Sequence, residues 1–474
     1  MREQRLIITI AVTIIITLFS SCDKDEATNP GRYNEMKPRT ERGAHQIDIK
    51  EINEFIHSNM NFGYYWNKEM PDIDYTLESN PFDYFDKLLY NSDRWSYITD
   101  DVVSLFEFQS GVARGVTGLS LQAYYLNQET NRVILYTRYV YPGSPAEEAN
   151  LKRGDVISRI NNQEITDQNY QQLLAMEPME ITLGDIIDDE IVDHNENIVL
   201  HLKDINLNPV VKSTVINNEQ GKTGYLAYTS FTSEFDTAMV NAFQNFNKKG
   251  IDELILDLRY NTGGAVSSAE LLASLIAPES AQGEMLVKEM WNENFTNYLK
   301  EENNADDSYF ISTIEAHEDN VNLNRLYVLT TENSASASEL LIYGLKPYMD
   351  VVTIGETTYG KYFGSVTFYD TNKHSWAIQP ITMSFENSDN SIDYSKGIDP
   401  NHYLIDNIYN AELGDPKEHF THYALTHIAT GVFPVEDEDE LKSLSKRALK
   451  LPVKKDIPES LEKSMWVDSN KRFK

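Results

Sequence analysis

The serine-rich run Thr331–Glu339 lies where an apolar strand, Leu326–Thr330, gives way to a helix predicted over Ser338–Leu345. A serine in such a turn can present its hydroxyl beside the N–H donors at the start of the helix, where negative charge is favoured. Ser336 and Glu339 also have the spacing of a capping box. From this segment alone, the cap is the preferred interpretation.

A second turn, Gly355–Lys361, follows the predicted strand Val351–Ile354 and delivers a lysine directly after a glycine. An exposed lysine is the usual interpretation of such a residue. A serine, however, is a poor nucleophile until a base removes its proton, and lysine is that base in some hydrolases. The lysine must then be neutral, which requires burial, because burial disfavours the charged form and lowers the pKa. A lysine on a glycine-flanked turn at a sheet edge can reach inward.

A third segment, Asp257–Gly264, runs from a buried strand through a glycine pair into a helix. Glycines let backbone N–H groups approach a ligand closely, and a helix N-terminus favours negative charge. A tight turn explains the same residues equally well.

The elements that must position these turns alternate between strand and helix over residues 206–432, which predicts a sheet covered by helices. The predicted strands are Gly224–Thr229, Leu254–Leu258, Leu326–Thr330, Val351–Ile354 and Trp376–Ser384, and the predicted helices are Thr237–Lys249, Ser267–Ile276 and Ser338–Leu345.

The region 109–205 has a different pattern, with alternating strands at Leu119–Tyr125 and Val133–Val140. The run Ser144–Asn162 resembles a PDZ domain, with Asn150 in place of a usual glycine. A PDZ domain adds a peptide as an extra strand and holds its terminal carboxylate in a nest of backbone N–H groups. A closed structural domain with an unused groove is the alternative. The acidic run Asp185–Glu196 is predicted to be a solvated loop.

The resemblance places the peptide carboxylate site at Gly115, Thr117, Gly118 and Leu119.

Ser334–Glu339, followed by Gly360-Lys361 with 25 residues from Ser336 to Lys361, resembles the C-terminal processing peptidases, or tail-specific proteases. The likeness extends to Asp257–Gly264, the PDZ-like region and Gly397–Asn401, and covers roughly residues 105–430. It implies a crotonase-like (ClpP/crotonase) α/β core that needs neither a metal nor another cofactor.

Carried over by position, the resemblance makes Ser336 the nucleophile and Lys361 its general base. The oxyanion hole would consist of the backbone N–H groups of Gly263 and Ala337. Family members often have glutamine four residues after the lysine, where it orients the amine. This chain has Ser365 there, which leaves that orienting role open.

The amino terminus carries Arg2 and Arg5, an apolar run Leu6–Phe19, and small residues before Cys22, the only cysteine. This order is that of a secretory signal, and it resembles a bacterial lipoprotein signal in which the cysteine is lipidated. An uncleaved anchor helix is the alternative. We therefore expect a lipid-anchored protein of the bacterial cell envelope, either periplasmic or exposed on the outer membrane.

The whole chain then divides into a signal peptide 1–22, a tether 23–44, a small N-terminal helical domain 45–108, a PDZ domain 109–205, a protease domain 206–432 and a charged, exposed tail 433–474.

The composition is that of a globular protein, and the net charge of −33 argues against nucleic-acid binding and against charge-driven docking on anionic lipid. One cysteine excludes a disulfide framework. Three histidines, His419, His422 and His427, lie on a predicted helix without an evident further ligand, so no metal site is predicted.

The sequence thus predicts a serine endopeptidase whose PDZ domain holds unfolded or C-terminal peptide segments, attached to the membrane only through its lipid. Two alternatives remain. One is a non-catalytic lipoprotein that binds peptides or ligands on the same fold, and the other is a hydrolase of non-peptide esters.

Overall fold

The computed structural model describes residues 48–127, 129–187, 190–218, 221–389, 394–407, 411–435, 450–453 and 458–467. The predicted signal peptide with Cys22, the tether and the acidic run at 436–440 lie outside the described residues. Within the described ranges, no helix has both the length and the apolarity needed to cross a membrane.

The N-terminal region consists of α1 (Ile49–Gly63), α2 (Pro81–Leu88), β1 (Tyr97–Thr99) and α3 (Val102–Gln109). Ile52, Ile56 and Met60 recur at helical spacing on α1 and are buried in the same core as the strands of residues 206–432. The region is helical, as the apolar spacing predicts. It nevertheless has no separate core, because its buried side chains join the core of residues 206–432.

The PDZ-like region contains β2 (Val112–Val116), β3 (Leu119–Asn127), β4 (Arg132–Val140), α4 (Pro145–Glu148), β5 (Val156–Ile160), β6 (Gln163–Glu164), α5 (Tyr170–Leu174), β7 (Met179–Ile187), β8 (Glu190–Leu200) and β9 (Lys203–Asn206). Its sheet has β3 next to β4, followed by β5, β7 and β8. Asn150 has φ of 60°, the left-handed conformation that asparagine tolerates in place of glycine.

The prediction of a solvated loop at Asp185–Glu196 is wrong. These residues continue an antiparallel hairpin in which β7 pairs with β8 as far as Ile187 and Glu190. Ile186 and Ile191 pack against a small apolar cluster around Tyr124 and Tyr136. Because acidic residues dominate this run, the sequence analysis overlooked its alternation of inward apolar and outward polar side chains.

The remaining strands up to residue 403 are β10 (Val210–Asn218), β11 (Gly221–Tyr228), β12 (Glu253–Asp257), β13 (Gly264–Ala265), β14 (Met285–Trp291), β15 (Ile311–Thr313), β16 (Arg325–Thr330), β17 (Asp350–Gly355), β18 (Phe363–Ser365), β19 (Phe368–Tyr369), β20 (Ala377–Gln379), β21 (Ile381–Glu386) and β22 (His402–Tyr403). The helices among and after them are α6 (Asp236–Lys249), α7 (Val266–Ile276), α8 (Glu293–Asn303), α9 (Ala337–Leu345) and α10 (His419–Thr430).

The central sheet has the order β10-β11-β12-β16-β17-β22, and all neighbours pair in parallel except β10 with β11. This confirms the predicted sheet covered by helices. The turns after β12, β16 and β17 leave the sheet at the same edge, because parallel strands end together. The three chemistry-bearing turns are therefore neighbours.

A second sheet has the order β13-β24-β18-β21-β14-β15, in which β24 is the short strand Met465–Trp466. The predicted strand Trp376–Ser384 is divided into β20 and β21 at Pro380, which has no N–H to donate to a ladder.

The chain beyond residue 449 forms β23 (Lys450–Leu451), α11 (Glu459–Glu462) and β24 (Met465–Trp466). The prediction of an exposed tail is wrong for these segments. Leu461 and Met465 are buried, and β24 lies inside the second sheet between β13 and β18. The few apolar residues among the lysines and acids are the ones that pack.

Candidate active site

Ser336 lies in the turn between β16 and α9, with φ of 64° and ψ of −114°. A non-glycine residue held at positive φ stores roughly 1–3 kcal/mol of strain that the surroundings must sustain. The side chain is buried, and its Oγ has no hydrogen-bond partner among the described residues. A Cβ at Gly263 would lie 2.7 Å from the Cβ of Ser336, so this close approach requires glycine.

Lys361 is fully buried at the end of the turn that follows β17. Its Nζ makes no hydrogen bond to any described residue. Burial lowers the pKa of Lys361 to about 7, against the opposing influence of the Asp93 and Glu339 carboxylates. About half of such amines are neutral at pH 7, which is the state a general base requires.

Glu339 joins the serine turn to the lysine turn. Its Oε2 accepts from the N–H groups of Ser336 at 2.8 Å and Lys361 at 2.9 Å. Its Oε1 accepts from Thr358 Oγ1 at 2.5 Å and from the Gly360 N–H at 2.6 Å. Burial raises the pKa of Glu339 to about 7, although these hydrogen bonds act to lower it.

The structure confirms the capping box that the spacing of Ser336 and Glu339 predicts. Its regular hydrogen bond runs from the Ser336 N–H to the Glu339 carboxylate, whereas the Ser336 Oγ makes no regular hydrogen bond to a described residue. The serine and lysine turns are brought together by this carboxylate rather than by a hydrogen bond between Ser336 and Lys361.

The two predicted oxyanion donors differ in their present engagement. Ala337 is the first residue of α9, and the N–H groups in the first turn of a helix have no intrahelical acceptor. The N–H of Gly263 donates to the Asn261 Oδ1 at 2.9 Å. It would have to leave or share that acceptor to bind an oxyanion.

Ser365 does not hydrogen-bond to Lys361. Its Oγ donates to the Met465 carbonyl at 2.9 Å and accepts from Gln379 Nε2 at 2.8 Å. Because Ser365 lies on β18, its hydroxyl serves the join between this strand and β24. The predicted orienting role is thus not realised in this arrangement.

The sequence analysis missed Asp93, which lies in the N-terminal region. Its carboxylate accepts hydrogen bonds from the Tyr64 hydroxyl at 2.8 Å and from the N–H groups of Trp95 and Ser96. Its charge favours the protonated form of Lys361. No local pattern could have found it, because only the shared core brings this region to the lysine.

Next to the site lies a buried ionic cluster that the sequence analysis also missed. Arg259, fully buried, donates to Asp257, to Glu418 at 2.9 Å and to Asp406 at 3.3 Å. Arg153, from the PDZ-like region, lies 3.4 Å from Glu418 and 3.5 Å from Asp406. The cluster therefore connects the PDZ-like region with the strand end that leads to Gly263.

The predicted carboxylate loop of the PDZ-like region is partly engaged by the chain itself. Gly115 and Gly118 have positive φ. The Gly115 N–H donates to the Asp204 carboxylate at 2.9 Å, and the carbonyl of Thr117 accepts from the Ala146 N–H. The Leu119 N–H is 3.4 Å from Thr117 Oγ1.

The three histidines lie on α10, as predicted. In the described ranges, no group of three or more histidine, cysteine, aspartate or glutamate side chains is arranged to hold a metal ion.

A helix-covered parallel sheet preceded by a PDZ-like region is the fold of the S41 peptidases. Over part of its length the chain is similar to peptidase family S41. The model described as "Peptidase family S41" matches residues 222–404, the model of the S41 N-terminal domain matches 51–97, and a PDZ model matches 136–183.

Relatives and a solved structure agree with this family. A protein of Staphylococcus aureus (strain COL) named "Probable CtpA-like serine protease" is 25% identical over 301 residues, which are 62% of this chain and 53% of the relative. A protein of the same name from Staphylococcus epidermidis is 24% identical over 83% of this chain and 70% of its own. The chain spans about half the length of the first of these relatives.

A crystal structure described as "Putative S41 protease" from Bacteroides fragilis matches with a TM-score of 0.68 and 26% identity. The match covers 80% of this chain and 98% of that one.

Proposed function

We propose that this protein is a serine endopeptidase of the C-terminal processing type that uses Ser336 as nucleophile and Lys361 as general base. The observation that carries the proposal is the fully buried Lys361 amine, which makes no hydrogen bond to any residue that the structure describes and has a pKa lowered to about 7. A structural lysine in the same position would be paired or would extend to solvent.

The proposed chemistry is acyl transfer through a covalent serine intermediate. Ser336 Oγ attacks the scissile carbonyl while neutral Lys361 takes the hydroxyl proton. The oxyanion of the tetrahedral intermediate accepts from the Ala337 N–H and, once released from Asn261, the Gly263 N–H. Each such donor contributes about 3 kcal/mol to the transition state. Lys361 then returns the proton to the leaving amine, and water hydrolyses the acyl-enzyme by the same steps.

The substrates would be unfolded or C-terminal peptide segments, since a PDZ module binds extended chain by adding it as a strand. We place the protein in the bacterial cell envelope, with Cys22 lipidated as its only membrane attachment. The net charge of −33 supports a partner that is not a nucleic acid.

A non-catalytic peptide-binding protein on the same fold is the second candidate. One observation favours it: Ser336 and Lys361 share no hydrogen bond, and Ser365 is engaged elsewhere. A productive dyad would then have to form on substrate binding, as catalytic hydrogen bonds often tighten only in the complex.

Covalent labelling separates the two. The ectodomain is incubated with a fluorophosphonate probe and with casein, from about pH 6 to pH 10, beside Ser336→Ala and Lys361→Ala. We expect labelling and cleavage only when both residues are present. Ser338→Ala, a neighbouring buried serine, and Lys396→Ala, an exposed lysine, are the matched controls and should retain activity.

If the wild type neither labels nor cleaves at any of these pH values, the binding protein is the correct account. Hydrolysis of p-nitrophenyl esters without cleavage of casein would instead identify an esterase.

A further inference from the structure

The edge strand of the PDZ-like sheet already has a partner strand from the carboxyl-terminal part of the chain. β23 pairs antiparallel with β3, with Lys450 opposite Tyr124 and Leu451 opposite Ala123. The tail strand runs toward the end of β3 that begins at Leu119. A peptide whose terminus approached the predicted carboxylate loop would run in the same direction.

Side chains of the PDZ-like region hold this segment at several points. Gln122 Nε2 donates to the Leu451 carbonyl at 2.8 Å, and the Tyr170 hydroxyl donates to the Pro452 carbonyl at 2.5 Å. Leu451 and Val453 pack against the apolar core of the region, which includes Leu121, Leu173 and Ile181. Strand pairing combined with apolar side-chain contacts is the way PDZ domains bind peptides.

The same segment also contacts the loop that delivers the lysine. Lys450 Nζ lies 3.7 Å from Glu356 Oε1, in the turn between β17 and Lys361. Glu356 is largely buried, and Lys450 is the basic partner that faces its carboxylate. The tail strand therefore touches both the peptide edge and the neighbourhood of the catalytic lysine.

Farther along the tail, the chain crosses the serine site. β24 pairs in parallel with β13, with Met465 opposite Gly264. The Ser464 carbonyl oxygen would lie 2.8 Å from a Cβ at Gly263. A backbone carbonyl thus lies against the glycine that is proposed to bind the oxyanion.

We propose that residues Lys450–Val453 are a resident ligand of the PDZ groove, which a substrate must displace. The groove accordingly accepts extended segments with apolar side chains at every second position, as in Leu-Pro-Val. Such a segment does not need a free carboxyl terminus in order to bind. The consequence for proteolysis rests on the proposed function, whereas occupation of the groove does not.

Peptide binding tests the occupation without any need for catalysis. A fluorescein-labelled peptide with the sequence of residues 448–454 is titrated into the full ectodomain carrying Ser336→Ala, with fluorescence polarisation as readout. In that background Leu451→Asp should bind the peptide at least about tenfold more tightly, because a tethered ligand competes at an effective concentration near the millimolar range.

Val435→Asp is the matched control, since it introduces the same charge at an apolar tail residue that is 97% exposed, and it should leave peptide affinity unchanged. Lys450→Glu, which reverses the pairing with Glu356 and spares the groove, should give a smaller gain of a few-fold. It decides the question if thermal melts show that Leu451→Asp is unfolded.

Equal peptide affinity in the parent, Leu451→Asp and Lys450→Glu would overturn the proposal, as would the absence of binding in all of them. With Ser336 intact, Leu451→Asp should also cleave casein faster than the wild type. Tighter peptide binding without any cleavage or labelling would contradict the proposed peptidase activity but would still support the proposal that the tail occupies the groove.

Discussion

Two groups of buried ionisable side chains lie beside the same strand ends, and they differ in how they are paired. Around Arg259 every charge has a partner, and the two arginines face three carboxylates. Burial alone would raise the pKa of Asp406 and the pKa of Glu418. The positive charges of Arg259 and Arg153 instead hold both pKa values below their usual range. The Lys361 amine, by contrast, has no hydrogen-bond partner among the described residues.

The difference separates a paired cluster that connects two regions from the single amine for which a chemical role is proposed. Pairing with the arginines lowers the pKa of Asp406 and of Glu418, which favours their charged forms and lets them hold two regions together. Burial without a hydrogen-bond partner among the described residues lowers the Lys361 pKa to about 7, where both protonation states are populated. A perturbed group without a compensating partner is a candidate for catalysis for this physical reason.

Removing the unpaired amine should have the largest effect. Lys361→Met keeps the shape of the side chain, so we expect the rate of casein cleavage to fall by about 10²–10⁴-fold through loss of the general base. Folding should be unharmed or improved, because an apolar group replaces a desolvated amine. Initial rates and urea unfolding on the same samples check both parts, and a loss of activity that tracks a loss of stability would contradict the comparison.

Removing a paired charge should do the opposite. Arg259→Met leaves Asp257 buried without its counter-charge and leaves Glu418 with Arg153 alone, so we expect the free energy of unfolding to fall by about 3–5 kcal/mol. Lys300→Met removes the exposed pair with Asp307 and should cost far less, because solvent screens exposed charges. Urea unfolding measures the loss of unfolding free energy in each variant. Equal losses would show that the buried cluster stabilises the fold no more than the exposed pair does.

The pH dependence of stability should carry the mark of the unpaired lysine. Its folded pKa of about 7 lies below the unfolded value of 10.5, so between these values the unfolded state binds more protons. Stability from this group therefore rises with pH from about 7 to about 10.5, by up to a few kcal/mol. The difference between wild type and Lys361→Met, measured by unfolding at each pH, isolates the effect. A flat difference would mean an ordinary lysine.

The smallest effect is expected at Ser365. Since its hydroxyl bonds to Gln379 and the Met465 carbonyl, Ser365→Ala should lower stability by about 1–2 kcal/mol and change the cleavage rate less than about threefold. Unfolding curves and initial rates measure both effects. A large fall in rate at unchanged stability would restore the orienting role that the family pattern suggests.

How far the sequence could go depended on the range of each interaction. Ser336 and Lys361 each lie in a turn that is a local pattern, and the resemblance to the peptidase family assigned their roles. The burial of Lys361 was required by the chemistry rather than visible in the sequence. Only one of the two contacts of Glu339 could be predicted. Its spacing from Ser336 indicates a cap, but nothing in the sequence indicates the second contact, with the Lys361 N–H.

Other features were beyond local reasoning. Asp93 and Arg153 approach the site from regions that are distant along the chain. The residues next to them in the sequence form no pattern that predicts this approach. The prediction of an exposed tail failed because lysines and acidic residues are more numerous there than apolar residues. The few apolar residues, among them Leu451 and Met465, nevertheless pack on the rest of the protein. Charge composition predicts exposure only on average, and single buried side chains decide where a segment lies.

The central claim is that Lys361 is a neutral, water-excluded base at the pH of catalysis. NMR titration of protein with ¹³C-labelled lysine side chains tests it directly, and the Lys361→Met spectrum assigns the resonance by its absence. The account predicts that the lysine resonance missing from the Lys361→Met spectrum titrates near pH 7. A Lys361 resonance that titrates with the bulk of the lysines would contradict it.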